Sequence, residues 1–169
     1  MPDELPAASS IALRRPPTAA RAVTSGGSGT NCMSVEFVDT NILVYAHDGG
    51  AGIRHQKSVE LLKRLATDGS GAFSIQVLAE FYVAATKKLR ITSEEAEEIL
   101  ADLAGWIIHR PAHADLLRAA QLQRRYRLSW WDALILNSAT ELGCTVLWTE
   151  DLAAGQRYGR VTAKNPFRA

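Results

Sequence analysis

The sequence predicts an α/β fold, a three-layer α/β/α sandwich with a mainly parallel central sheet. Short apolar runs of strand length alternate along the chain with amphipathic stretches of helical length, the pattern of a parallel sheet covered on both faces. Composition agrees: 47% hydrophobic and 22% charged residues are typical of a globular chain, and 169 residues give room for one ordinary core. No segment repeats another, so an array of repeats is excluded.

The elements follow in order. Val35–Val38 reads as a buried strand, and either Asp39 or Thr40 caps a short helix over Asn41–Ala46. The run Gly49–Gly52 is a loop. Ile53–Ala66 places Val59, Leu61, Leu62 and Leu65 on one helical face, with His55, Lys57, Glu60 and Lys63 outside. "TDGSG" ends that helix and Ala72–Ile75 is the second strand. Gln76–Leu89 is a helix buried through Val77, Leu78, Phe81, Val83 and Ala84. Thr92 and Glu95 have capping-box spacing and open a helix over Ser93–Ala104. Trp106–His109 is a third strand, closed by Pro111, and His113–Arg127 is amphipathic. Ser129 caps Trp130–Leu142, Gly143 stops it, and Thr145–Trp148 is a fourth strand. A short helix is expected over Leu152–Gln156, and an edge strand over Arg160–Ala163.

Residues 1–32 differ from the rest. They are rich in Ala, Ser, Gly and Pro, show no periodicity, and lack the apolar stretch of roughly 7 residues that a secretory signal needs. The expectation is a disordered tail or a misassigned start, with the domain spanning 33–169 and beginning at Met33. A formal net charge of +1 neither favours nor excludes a nucleic-acid partner, because local patches decide that. Cys32 and Cys144 form no ligand pattern and no disulfide framework, so a reducing cytoplasm is expected. No apolar run approaches the roughly 18 residues of a membrane span.

Four acids stand in apolar surroundings: Asp39 after the first strand, Glu80 in "VLAEFYV", Asp132 in "SWWDALIL", and Asp151 in "LWTED". Burying a carboxylate without a partner is strongly unfavourable. Singly, each has a bland explanation as a cap, a first-turn acid favoured by the helix dipole, or a surface residue. Together they outnumber the basic residues nearby, since Lys87, Lys88 and Arg90 lie two or more turns beyond Glu80. A shared divalent cation would satisfy several at once. Hard oxygen donors without a His or Cys cluster point to Mg²⁺ or Mn²⁺ rather than zinc.

"FVDTNILVYA", "SIQVLAEFYV", "SWWDALILNSA", "LWTEDL" and the terminal "NPF" resemble the PIN domain, and within it the VapC-type toxin nucleases of type II toxin–antitoxin systems. The resemblance covers Met33–Phe167. It implies that Asp39, Glu80, Asp132 and Asp151 form the catalytic, metal-holding acidic cluster, supported by hydrogen bonds from Thr149 and Asn41. It implies an endoribonuclease that cleaves RNA by metal-activated water, with one or two ions. It also implies a small antitoxin whose C-terminal segment covers the active site, and a homodimer.

Other features compete for attention. Arg124, Arg125 and Arg127 in "RRYR" suit RNA phosphates, but a solvated helix C-terminus explains them equally well. The scattered histidines fit surface or helix-end positions. Of Trp130 and Trp131, one is expected in the core and the other near the mouth of the site. A phosphatase of the haloacid dehalogenase type would need a second acid two residues after the first, and this chain has Asp39-Thr40-Asn41. An inactive PIN-fold module that binds RNA or protein, and a PIN nuclease of RNA processing, are the remaining alternatives.

Overall fold

The computed structural model describes residues 34–168, so the expectations placed on residues 1–32 lie outside the described residues. Six strands form one sheet in the order β3-β2-β1-β4-β6-β5. They are Glu36–Val38 (β1), Gly71–Ser74 (β2), Ile107–His109 (β3), Val146–Trp148 (β4), Arg157–Tyr158 (β5) and Val161–Lys164 (β6). The pairings β1/β2, β1/β4, β2/β3 and β4/β6 are parallel, and only β5/β6 is antiparallel. The register sets Val38 against Trp148 and Phe37 against both Ala72 and Leu147.

Between β1 and β2 run Thr40–His47 (α1) and Ile53–Asp68 (α2). Ile75–Lys87 (α3) and Ser93–Asp102 (α4) lead to β3, while His113–Tyr126 (α5) and Trp130–Glu141 (α6) lead back to β4. The chain thus moves outward through β2 and β3, then returns to the other side of β1. Right-handed crossovers in opposite directions put α1–α4 on one face and α5–α6 on the other. The helix contacts match: α1 packs on α2 and α3, α3 on α4, and α5 on α6. The core between the layers includes the fully buried Phe37, Phe73, Phe81, Leu62, Leu136 and Leu147. Each such side chain is worth about 1.5–3 kcal/mol of burial. At Gly71 a Cβ would lie 2.1 Å from the Trp106 ring, so only glycine lets that indole lie flat on the start of β2.

Several elements differ from expectation. Leu152–Gln156 is no helix: Gly155, with φ +84°, turns the chain so that its N–H meets the Ala163 carbonyl at 2.8 Å. The turn leads into β5, which takes the edge position expected for the later strand and leaves β6 inside the sheet. Gly49–Ala51 is a 3₁₀ turn, and α4 ends at Asp102 in a second one, Leu103–Gly105. Val83 faces outward at 49% exposure, and Ala85 takes the buried position on α3. No helix among the described residues is long and apolar enough to cross a membrane.

Candidate active site

Asp39 stands one residue beyond β1, where the strand order reverses between β1 and β4. A parallel sheet opens a crevice there, outside the carboxyl ends of its strands. The residue is extended (φ −79°, ψ 157°) and is the N-cap of α1. Its Oδ1 accepts from the Thr40 N–H at 2.6 Å, and its Oδ2 accepts from Thr149 Oγ1 at 2.7 Å. The buried Thr149 hydroxyl also accepts from the Asp151 N–H at 3.1 Å, so one side chain just past β4 ties two acids together.

The other acids arrive from separate elements, each with a donor. Glu80, half-buried on α3, accepts from Thr40 Oγ1 at 2.8 Å and from Gln76 Nε2 at 2.9 Å. Asp132 lies in the first turn of α6, where the Ser129 hydroxyl accepts from its N–H at 3.1 Å and donates to its Oδ2 at 2.7 Å. Asp151 accepts from Asn41 Nδ2 at 3.0 Å. All four acids line one cleft of about 570 Å³, together with Thr40, Asn41, Tyr45, Asp48, Lys88 and Trp131.

The electrostatics show the strain of this arrangement. Asp39 is 5% exposed. Burial pushes its carboxyl up to about 7; the bonds from Thr149 and Thr40 pull against that, while the charges of Asp151 and Asp132 push further up. The Asp151 carboxyl is raised too, first by partial burial against the cleft wall and then by Asp132 and Glu150, with the Asn41 bond opposing. Asp39 and Asp151 thus both feel neighbouring negative charge across the cleft.

The loop that carries Asp151 is held from outside. Tyr45 donates its hydroxyl to Glu150 Oε1, and Arg54 Nε lies 3.3 Å from Glu150 Oε2. The Arg54 guanidinium stacks over the Tyr45 and Phe167 rings at 5.4 and 5.8 Å. The bond to Glu150, then burial, pushes the Tyr45 hydroxyl up to about 12. In this way the terminal "NPF" turn, closed by Phe167 N–H to Asn165 Oδ1 at 2.8 Å, braces the segment beside the acids.

A family model of the PIN domain matches residues 37–158. The chain belongs to the PIN domain family. Solved structures share the fold. VapBC2 from Rickettsia felis, bound to a DNA fragment from its promoter, is 21% identical with a TM-score of 0.57, covering 78% of this chain and 98% of that one. A toxin–antitoxin complex from Klebsiella pneumoniae is 23% identical with a TM-score of 0.55, covering 69% and 86%. VapC20 from Mycobacterium tuberculosis, a sarcin–ricin-loop-cleaving toxin, is 18% identical with a TM-score of 0.52, covering 66% and 85%. At these identities the likeness is one of fold. No curated protein matches the chain in sequence.

PIN nucleases generally use divalent metal ions, and the donor set of this PIN domain suits a hard cation. Its cleft offers carboxylate, hydroxyl and amide oxygens, and Asn41 Oδ1 is buried with no hydrogen-bond partner. As they stand, no three His, Cys, Asp or Glu side chains among the described residues are gathered tightly enough to enclose an ion. Each carboxylate is instead turned onto a protein donor, and its two oxygens keep further lone pairs that a cation would take.

Other expected positions fall elsewhere in the PIN fold. Arg124 and Arg125 are exposed on α5 and Arg127 is its left-handed C-cap (φ 55°); none of the three lines the cleft. Trp130 packs against Ala119, Ala133 and Leu134, whereas Trp131 is 59% exposed and lines the cleft. The sequence reading missed the second role of Thr40, whose hydroxyl reaches Glu80, and the part of Gln76, legible only as an i, i+4 pair. It also missed Asp48, Tyr45 and Lys88 in the cleft lining, and the buried Asp115, which accepts from Ala112 N–H, Asn137 Nδ2 and Arg118 away from the site.

Proposed function

We propose that this PIN domain is a Mg²⁺- or Mn²⁺-dependent endoribonuclease acting as the toxin of a toxin–antitoxin pair in the cytoplasm. One observation carries the reading: four carboxylates from four separate elements line a single cleft at the strand-order reversal of a parallel sheet. Asp39, Glu80, Asp132 and Asp151 would hold the cation. When bound, a divalent cation supplies Lewis-acid polarisation of the phosphodiester and makes water more acidic.

The chain's own residues do the rest. Thr149 and the Thr40 N–H fix both oxygens of Asp39 and keep it ionisable despite its burial. Thr40 and Gln76 orient Glu80, Ser129 orients Asp132, and Asn41 orients Asp151. This network brings negative charge to one place with little side-chain freedom, which lowers the cost of organising the site for the transition state. The cluster also repels a polyanionic substrate until positive charge neutralises it.

Support for the toxin assignment comes from relatives in the fold, several of which are toxins or toxin–antitoxin complexes. A small antitoxin is the partner in this reading, covering the cleft with a basic side chain, and the chain is a homodimer. The test is cleavage of total RNA by purified protein with Mg²⁺, with Mn²⁺, and with EDTA, repeated for Asp39→Asn and Asp132→Asn. Metal-dependent cleavage lost in both variants is the expected result. Correctly folded wild type that leaves RNA intact with either metal would sink the reading in favour of an inactive binding module.

A further inference from the structure

The acids account for only part of the cleft lining. Much of the rest is apolar: Ile135 and Trp131 one turn apart on α6, with Ala84 on α3 and Leu89 just beyond its end. A single exposed apolar residue needs no explanation in itself. Trp131, however, directly precedes Asp132 and belongs to neither hydrophobic cluster, unlike the adjacent Trp130. The core therefore gains little from this large ring, which is left open toward the same space that the acids line.

Lys88 adds a second observation. It is the basic residue of the cleft lining, set among five acids: Asp39, Asp48, Glu80, Asp132 and Asp151. Yet no ion pair joins it to any of these acids. An ammonium left unpaired in so acidic a cleft remains available to an anionic ligand.

We infer that Trp131 and Lys88 form a nucleotide subsite beside the acids, in which the indole stacks on an unpaired base and the ammonium takes a backbone phosphate. This rests on the ribonuclease reading and deepens it by assigning residues that select the substrate. Stacking on an aromatic face tolerates any base but requires a free base face, which duplex RNA does not offer. A lysine contributes to phosphate binding as a point charge whose effect depends on salt. The subsite therefore admits a nucleotide from a loop or an open strand and rejects one held in a helix.

The experiment uses the full chain with Ca²⁺, a hard oxygen-seeking cation that offsets the charge of the acids in place of Mg²⁺, a fluorescein-labelled uridine oligonucleotide, and the same oligonucleotide annealed to its complement. Anisotropy gives affinity, and intrinsic tryptophan fluorescence gives contact with the indole. Trp131→Ala is expected to weaken single-strand binding roughly tenfold. Trp131→Phe should keep most of the affinity while losing the quench that RNA causes in the wild type. Lys88→Ala should flatten the plot of log affinity against log salt by about 0.7, the value for one phosphate contact on a single strand. Unchanged affinity in Trp131→Ala, or equal wild-type affinity for the duplex, overturns the subsite. So does a Trp131→Ala variant that changes only its sedimentation, since the indole then belongs to a protein contact. Cleavage in Mn²⁺ is scored in parallel to separate the two ideas. Wild type that cleaves while Trp131→Ala binds equally well overturns the subsite alone, and wild type that neither binds nor cleaves overturns both.

Discussion

Asp39→Asn should stabilise the metal-free protein, and by more as pH rises. An acid whose folded value lies above its unfolded one favours the folded state only while protonated. The contribution is fully present below about pH 4 and is lost as pH rises through about 7. The gap between 3.8 and about 7, at about 1.4 kcal/mol per pH unit, sets a ceiling of about 4 kcal/mol on that loss. Asparagine is neutral throughout and keeps an oxygen for the Thr40 cap, but it disturbs the bond from Thr149 at a cost of about 1 kcal/mol. The net gain at pH 8 is therefore about 3 kcal/mol, a rise in Tm on the order of 10 °C for a domain of this size. Thermal melts in EDTA between pH 5 and 8 measure it. The curves should converge toward pH 5 and diverge above it, and saturating Mn²⁺ should raise the wild type more than the variant. Parallel curves across the whole range would refute the argument that burial and neighbouring acids load Asp39 with this penalty.

Three further outcomes are expected. Glu80→Gln should lose most RNA cleavage, with partial recovery as Mn²⁺ is raised, because a neutral amide is a weak ligand for a hard cation; a rate titration against metal reads this, and Asp151→Asn should lose less because its residue is the more exposed. Thr149→Val removes the donor to Asp39 and the acceptor for the Asp151 N–H at a buried position, so urea unfolding should show a loss of about 1–3 kcal/mol along with reduced cleavage. Asp115→Ala should cost about 2 kcal/mol or more by stranding the Ala112 and Asn137 donors, while leaving metal binding by calorimetry unchanged. The Asp115 carboxyl is held down at about 2, chiefly by the bond from Ala112, so its contribution is present above about pH 4 and lost as pH falls toward 2.

What the sequence made legible was the local chemistry. The capping box at Thr92 and Glu95 forms in both directions because its donors and acceptors lie within three residues. The central strands β1, β2 and β4 and their alternation with helices were legible because each carries a short apolar run into the core, whereas β5, the two residues Arg157–Tyr158, offered no such run. Features that depend on distant partners were not. Asp115 sits in a stretch that reads as an exposed helix start, and its burial comes from α6 packing on α5 and offering Asn137. The run "LAAGQ" has the composition of a helix, yet pairing with β6 captures its backbone and Gly155 supplies the turn. The candidate site divides the same way. The acids themselves stood out against their apolar neighbours, but the bonds joining them span 40 to 110 residues and belong to the fold.

Those long-range bonds explain how the protein tolerates the cluster at all. Thr40 serves two acids at once, its N–H to Asp39 and its hydroxyl to Glu80, and Thr149 serves Asp39 and the backbone of Asp151. Such donors offset part of the desolvation of each carboxylate but none of the repulsion between them, since a hydroxyl brings no net charge. Asp39 shows the remainder, with a carboxyl near 7 where an exposed one lies near 4. At neutral pH the array is thus close to taking up a proton at its most buried member. A proton and a divalent cation compensate the same excess of negative charge, so the two compete for the cleft. A protein with four independent structural acids would have placed an arginine or lysine against them, as Arg64 stands against Glu36 and Arg118 against Asp115. Among the described residues lining the cleft Lys88 is the one basic side chain, unpaired with any of the four, and the excess negative charge there is what the proposed cation would offset.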